Sequence, residues 1–274
     1  MTSSPLRSKS IYHSRSVSLP SRLHPVIPHV NEHLRLSGLE NMYDCLDNLL
    51  LLPQAQQALA QQCNEKWVEG VLEKFLRLLD VCATAKDVSS QTKQDLQGLL
   101  SILRRRRDMS DFSGFLSSRK KAKKVIQKSL KDLKCIKTNH TTGDHGKSQE
   151  ILNALNDVEA ATTAVFESLL SYISGTKAES SLSGFSLVCK FKPSKSIADK
   201  DEETSTNVFE KFDAALHSLN HHKTSKSDKA VHVENVQNQL MKMEPSILDI
   251  EEGLECVFRR LIKTRVTLLN ILNH

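Results

Sequence analysis

The stretch "ILDIEEGLECVFRRLIKTRVTLLNIL", residues 247–272, decides the fold class of this chain. Its apolar residues recur at alternating steps of three and four, which is the spacing of one helix face. Further apolar residues widen that face, and a stripe so wide predicts a helix in the middle of a bundle rather than in a two-stranded seam. The main stripe is Ile247, Ile250, Leu254, Val257, Leu261, Thr264, Leu268 and Ile271, and the widening residues are Phe258, Ile262, Val266, Leu269 and Leu272.

Pro245 stands just before this stretch and leaves two interpretations of where the last helix begins. A proline suits the first turn of a helix, because no backbone N–H partner is needed there. If the helix instead begins near Val231, Pro245 predicts a kink.

The same spacing predicts three further long helices, over about 68–103, 112–136 and 151–172. Arg119 and Ser129 interrupt the stripe of the second one, and Gly175 is placed to end the third. A helix from Leu39 stops before Pro53, and residues 205–220 form a short amphipathic one. With no strand-like alternation in competition, the sequence predicts an all-α fold, an elongated antiparallel bundle of long helices.

The chain divides into a tail and one helical domain. Residues 1–31 are rich in serine and proline and poor in large apolar side chains, so we expect a disordered tail. Residues 32–274 are expected to form the bundle, with loops at about 138–148, 176–204 and 220–230.

Positive charge is concentrated in two regions of a chain whose formal net charge is +6. Residues 102–137 hold 13 Lys or Arg against three acids, and residues 1–31 carry four basic residues and no acid. The rest of the chain is acidic, so the protein is not a uniformly basic nucleic-acid binder. The candidate basic patch is Arg104, Arg105, Arg106, Arg107, Lys120, Lys121, Lys123 and Lys124.

The basic segment has two interpretations. We expect the solvated face of a bundle helix, partly paired with the acidic segments Asp199–Glu203 and Asp249–Glu255. The alternative is an adaptor that binds anionic membrane or nucleic acid through residues 104–137. Residues 102–137 lack Tyr and Trp for base stacking, while Phe112 and Phe115 fit the apolar stripe. The two basic blocks also resemble a two-part nuclear localisation signal. Such signals must be accessible and extended, whereas these blocks are predicted to be helical.

No residue pattern points to catalysis or to a bound cofactor. The six cysteines form no CxxC pair, and no phosphate-cradling glycine loop or GxSxG motif occurs. Asp213, His217 and His221 share one helix face and form a weak metal candidate without a fourth ligand. Trp67 is expected to be a core anchor. We therefore predict a non-enzymatic protein without metal or cofactor.

The N-terminal "RSVSLP" carries the one candidate docking motif. Arg15, Ser16, Ser18 and Pro20 match the pattern Arg-Ser-x-phosphoserine-x-Pro that 14-3-3 proteins bind through an arginine cluster. The same acid-free, serine- and arginine-rich composition also resembles a chloroplast transit peptide. The expected location is therefore the cytoplasm, with the plastid as the alternative if residues 1–31 are cleaved.

Several strings resemble a plant-specific family of helical proteins related to the BYPASS proteins: "LLLLPQAQQALAQQCNEKWVEGVLEKFLRLLDVCATAKD" (49–87), "ILRRRRD", "SRKKAKKVIQK" and "DIEEGLECVFRRLIKTRVTLLNILNH". The N-terminal "RSVSLPSRLHP" also looks like that family's opening, whereas Pro245 departs from its pattern. The resemblance implies a helical domain associated with root and shoot development, and it brings no catalytic residues. We thus expect a plant protein that acts through protein partners, including 14-3-3 proteins if Ser18 is phosphorylated.

Overall fold

The computed structural model describes residues 27–62, 65–105, 112–137, 149–176, 207–221 and 226–272. These residues form seven helices and no strand, so the predicted all-α fold is confirmed. The helices are α1 (Ile27–Leu50), α2 (Pro53–Gln62), α3 (Glu65–Arg104), α4 (Ser113–Lys137), α5 (Gln149–Ser174), α6 (Val208–His221) and α7 (Lys226–Leu272).

Two helix starts differ from the sequence prediction. Helix α1 begins at Ile27, inside the stretch assigned to the tail, and Pro28 lies in its first turn, where its missing N–H costs nothing. Helix α7 begins at Lys226 and is continuous through Pro245, so the predicted loop at 220–230 is shorter than expected. Val236, Leu240 and Met243 extend the buried stripe of α7 toward its start, which explains why that segment is helical.

Helix α7 is the centre of the bundle and packs on α1, α2, α3 and α6. It runs antiparallel to α3, because Cys82 donates to the Leu254 carbonyl at 3.5 Å while Lys93 Nζ lies 2.7 Å from Glu251 Oε2. Helix α1 runs parallel to α7, since Asp47 lies beside Thr264 and a Cβ on Gly253 would lie 3.0 Å from the Leu36 Cβ. The mainly antiparallel arrangement therefore includes α1 and α7 as a parallel pair.

The predicted stripe of α7 is buried from Ile247 to Ile271. Polar members of the stripes are buried with partners: Thr264 Oγ1 donates to Asp47 Oδ1 at 3.3 Å, and Thr162 Oγ1 lies 2.9 Å from the Tyr43 hydroxyl. Burial raises the pKa of Tyr43 above its ordinary value, so this hydroxyl stays neutral. Trp67 is buried, as predicted.

The predicted width of the α7 stripe is wrong in part. Ile262 and Val266 are 42% and 47% exposed, so the bundle does not cover the whole apolar surface of this helix. Among the described helices, α1, α2, α3 and α6 pack on α7, and together they leave these two side chains exposed.

Candidate functional site: the basic surface of helix α4

Helix α4 is held in the bundle by its apolar stripe and by one buried arginine. Phe115, Ile126 and Leu133 are buried, as the spacing predicts. Arg119 stands on the same side and is 6% exposed, so it does not interrupt the stripe but is part of the core. A buried guanidinium requires a counter-charge, and α6 supplies it.

Asp213 of α6 binds Arg119 through both carboxylate oxygens. Arg119 Nε donates to Asp213 Oδ1 and Nη2 donates to Oδ2, each at 3.1 Å. Lys123 Nζ, one turn further along α4, lies 2.7 Å from the same Oδ2. The Arg119 guanidinium also lies 5.4 Å from the centre of the Phe209 ring. This cluster fixes the rotation of α4 about its own axis and thereby decides which side chains face outward.

The C-terminal end of α5 shapes the surroundings of this ion pair. Gly175 has a φ of 71°, its N–H donates to the Tyr172 carbonyl, and the Thr176 N–H donates to the Ser171 carbonyl. This is the glycine-ended helix terminus that the sequence predicts. A Cβ at Gly175 would lie 3.0 Å from Asp213 Oδ2, so the close approach of α5 to the ion pair also requires glycine.

The outward side of α4 is a row of lysines. Lys120, Lys124, Lys128 and Lys131 are exposed and separated by four, four and three residues, so they share one helix face about 16 Å long. We call these four residues the lysine face. No described residue forms an ion pair with any of them. The exposed Asp132 stands four residues after Lys128, so the four positive charges of the face stand against one negative charge at its margin.

The expected pairing of the basic segment is wrong for two acids of Asp249–Glu255, while Asp199–Glu203 lies outside the described residues. Glu255 and Glu251 pair with α3 instead: Lys86 Nζ lies 2.5 Å from Glu255 Oε2, and Lys93 Nζ lies 2.7 Å from Glu251 Oε2. Hydrogen bonds from Lys86 and Arg259 lower the pKa of Glu255, so it stays ionised. The reason for the difference is packing, since α3 lies against α7 whereas α4 lies against α3 and α5.

The other predicted basic residues have separate positions. Arg104 and Arg105 are exposed at the end of α3 and line an open groove of about 390 Å³ together with Gln97, Ser101 and Glu244. Lys121 is exposed beside the lysine face, while Lys123 is partly exposed and pairs with Asp213. Arg106 and Arg107 lie outside the described residues, as do the docking candidates Arg15, Ser16, Ser18 and Pro20.

The weak metal candidate was Asp213, His217 and His221. In the structure the Asp213 carboxylate forms ion pairs with Arg119 and Lys123 instead of standing open to a metal ion. Across the described ranges, no group of three His, Cys, Asp or Glu side chains is arranged to hold a metal ion. None of the described helices combines the length and the apolar character that crossing a membrane requires.

The sequence prediction missed the Arg119–Asp213 pair. A signal was present, because one arginine within an otherwise apolar stripe often marks a buried ion pair. The partner could not be identified, since 94 residues separate the two side chains along the chain.

Comparison with known proteins supports the predicted resemblance. No curated protein and no solved structure matches the chain. The family described as Protein BPS1 matches residues 35–271, which cover all the helices described above except the first turns of α1 and the last residue of α7. The chain therefore belongs to the BPS1 family.

Proposed function

We propose that this protein is a non-enzymatic helical scaffold that acts in plant root and shoot development by binding protein partners, with the lysine face as its contact. Membership of the BPS1 family suggests a role in plant development. One observation carries the proposed contact: four exposed lysines on one side of α4 form no described ion pair. An acidic surface on a partner would supply the missing charge and gain on-rate and specificity from it.

Rigidity of the supporting helix favours this role. The Arg119–Asp213 pair and the buried stripe hold α4 in one orientation, so the lysines are presented in a fixed row. A preorganised surface binds with a smaller entropic cost than a mobile one. Partners that bind through this face should elute between about 0.05 M and about 0.5 M salt, because screening weakens contacts between exposed charges.

A second candidate function is an adaptor that binds anionic membrane or nucleic acid through residues 104–137. The same exposed lysines favour it, together with the exposed Arg104 and Arg105. Phe112 and Phe115 are buried and cannot stack on bases, so nucleic acid would be bound through its phosphates alone. Co-sedimentation of the purified protein with phosphatidylserine vesicles or RNA at about 0.1 M salt tests this candidate. Binding that Lys120→Glu and Lys124→Glu abolish would favour it over the protein-partner function.

A 14-3-3 protein is the partner that we propose for the N-terminal motif. What supports it is the sequence "RSVSLP", in which Arg15 stands three residues before Ser18 and Pro20 two residues after it. Phosphorylation of Ser18 would add about two negative charges and three acceptor oxygens for an arginine-lined groove. The motif must persist on the mature protein, so this proposal includes a cytoplasmic location rather than plastid import.

Mass spectrometry of the protein from leaves tests the N-terminal proposal directly. We expect an intact N-terminus, partial phosphorylation of Ser18 and 14-3-3 binding that Ser18→Ala abolishes. Pro20→Ala should weaken binding less, because the phosphate supplies most of the interaction energy. A mature protein that begins beyond residue 31, with a C-terminal fluorescent fusion in plastids, would establish the transit peptide instead.

A further inference from the structure

The outward side of α7 carries large apolar side chains that the bundle does not bury. In a helix that pairs with another, positions separated by alternating steps of four and three lie on one side. In α7 such a row runs from residue 241 to residue 266. We call this row of positions the α7 seam. Its apolar members are exposed: Met241 by 60%, Leu248 by 45%, Ile262 by 42% and Val266 by 47%, with Pro245 also exposed. Charged residues would be expected at such positions on a helix facing only water.

The middle of the seam carries charges of both signs. Glu252, Glu255 and Arg259 occupy the positions between Leu248 and Ile262. The side chain of Arg259 is 73% exposed and that of Glu255 is 39% exposed, although they form an ion pair of 2.8 Å within the helix. The seam therefore has apolar ends and a centre in which acid precedes base by four residues.

Helix α3 adds apolar surface beside the C-terminal half of the seam. Lys86 and Lys93 of α3 face α7, and Leu79 and Leu72 stand seven and fourteen residues before Lys86, on the same side of α3. Leu76, between them, is 39% exposed. Because α3 and α7 are antiparallel, these leucines lie level with the last four turns of α7.

We propose that the α7 seam binds the α7 seam of a second copy of this chain, antiparallel, as a two-fold homodimer. In antiparallel helix pairs, the first and fourth positions of the heptad face each other. The register that follows places Leu248 opposite Val266 of the second copy and Glu255 opposite Arg259 of the second copy. Two-fold symmetry repeats both contacts, so each pairing occurs twice.

Charge favours this occupant. In this register the Glu255 carboxylate, which also pairs with Lys86 of α3, lies opposite the Arg259 guanidinium of the second copy, while Glu252 lies opposite Ile262. Shifting the register by one heptad would place Glu252 opposite Glu255 in one direction and Arg259 opposite Ile262 in the other, so neither shift forms the Glu255–Arg259 contact. The paired length from Pro245 to Leu269 is about 37 Å. With the α3 leucines at its margin, this is a small interface, so we expect a dissociation constant in the micromolar range, on the order of 1–10 µM.

Sedimentation equilibrium of the full chain, from about 1 to about 100 µM, tests the proposal by the oligomeric state. We expect a monomer–dimer equilibrium whose dissociation constant rises at least about tenfold in the double variant Leu248→Glu, Ile262→Glu. The matched control is Leu51→Glu, Val125→Glu, which places the same charges on apolar residues that are 62% and 42% exposed elsewhere. Circular dichroism establishes that both variants are folded.

A charge reversal tests the register. Arg259→Glu should weaken the dimer, because a carboxylate would then lie opposite Glu255 of the second copy. A chain that is monomeric throughout the concentration range would overturn the proposal, whether or not another segment of the chain covers the seam. A dimer that the seam variant leaves unchanged would overturn it as well.

Discussion

Removing one partner of the Arg119–Asp213 ion pair should destabilise the protein more when the aspartate is replaced than when the arginine is replaced. Asp213→Asn keeps the size of the side chain but removes the charge that neutralises Arg119, whose side chain is 7% exposed. Breaking a buried pair from one side costs about 3–5 kcal/mol. Asp213 is 22% exposed and Arg119 retains the Phe209 ring, so we expect the lower end, about 3 kcal/mol.

The opposite substitution should cost less. Arg119→Met fills most of the buried space and leaves Asp213 paired with Lys123, whose Nζ lies 2.7 Å from Oδ2. We expect a loss of about 1–2 kcal/mol. In the variant that carries both substitutions no buried charge remains unpaired, so its loss should be smaller than the sum of the single losses by about 1–2 kcal/mol.

Urea unfolding followed by circular dichroism at 222 nm measures all four free energies of unfolding. The account requires equal dependence on urea among the variants, so that midpoints report stability alone. It would be refuted if Asp213→Asn lay within about 0.5 kcal/mol of the parent, or if Arg119→Met were the more damaging of the two.

Three further substitutions or modifications have expected outcomes. Leu261→Asp should lower the free energy of unfolding by about 4 kcal/mol or more, because the carboxylate would be fully buried without a partner; a melting temperature equal to the parent's would contradict this. Burial raises the pKa of Cys82 to about 12, so at pH 8 an alkylating reagent should label the exposed Cys45 and Cys135 well before Cys82. After denaturation without reductant the reagent should label all six cysteines, and mass spectrometry counts the labels. Burial also raises the pKa of Glu32, so ionisation of this carboxyl lowers the free energy of unfolding. The parent should therefore gain stability relative to Glu32→Gln as the pH falls from 7 toward 4. A difference in stability between the two proteins that does not change with pH would contradict this prediction.

The positions of the helices could be predicted from the sequence because helical spacing is a local property. The main stripes ending at Leu103, Ile136 and Ile271 lie on the buried sides of their helices, as predicted, whereas Ile262 and Val266, which were predicted to widen the last stripe, are exposed. The end of α5 at Gly175 was equally local, since a left-handed residue closes the last turn. The sequence left the start of α7 open between Pro245 and Val231, because a proline suits a first turn as well as a kink, and the burial of Val236 and Leu240 explains the early start at Lys226.

The contacts between helices could not be predicted, because they join residues far apart in the chain. The acids of α7 could have paired with any basic helix, and only the packing of α3 on α7 decides that Lys86 and Lys93 are their partners. Helix packing also explains why the lysine face is unpaired within the described part of the chain. Its lysines were predicted to be solvated, and they are exposed, but the expected neutralisation by Asp249–Glu255 required a helix arrangement that the chain does not adopt.

Affinity purification from plant tissue tests most directly whether the lysine face binds protein partners. The variant Lys120→Glu, Lys124→Glu, Lys131→Glu reverses three charges of the face, and the control Arg77→Glu, Lys211→Glu, Lys242→Glu reverses three exposed charges on α3, α6 and α7. We expect partners that co-purify in defined ratio with the parent and the control and are lost from the face variant. Partners retained equally by all three proteins would contradict it and leave the lysine face with no role beyond contact with water.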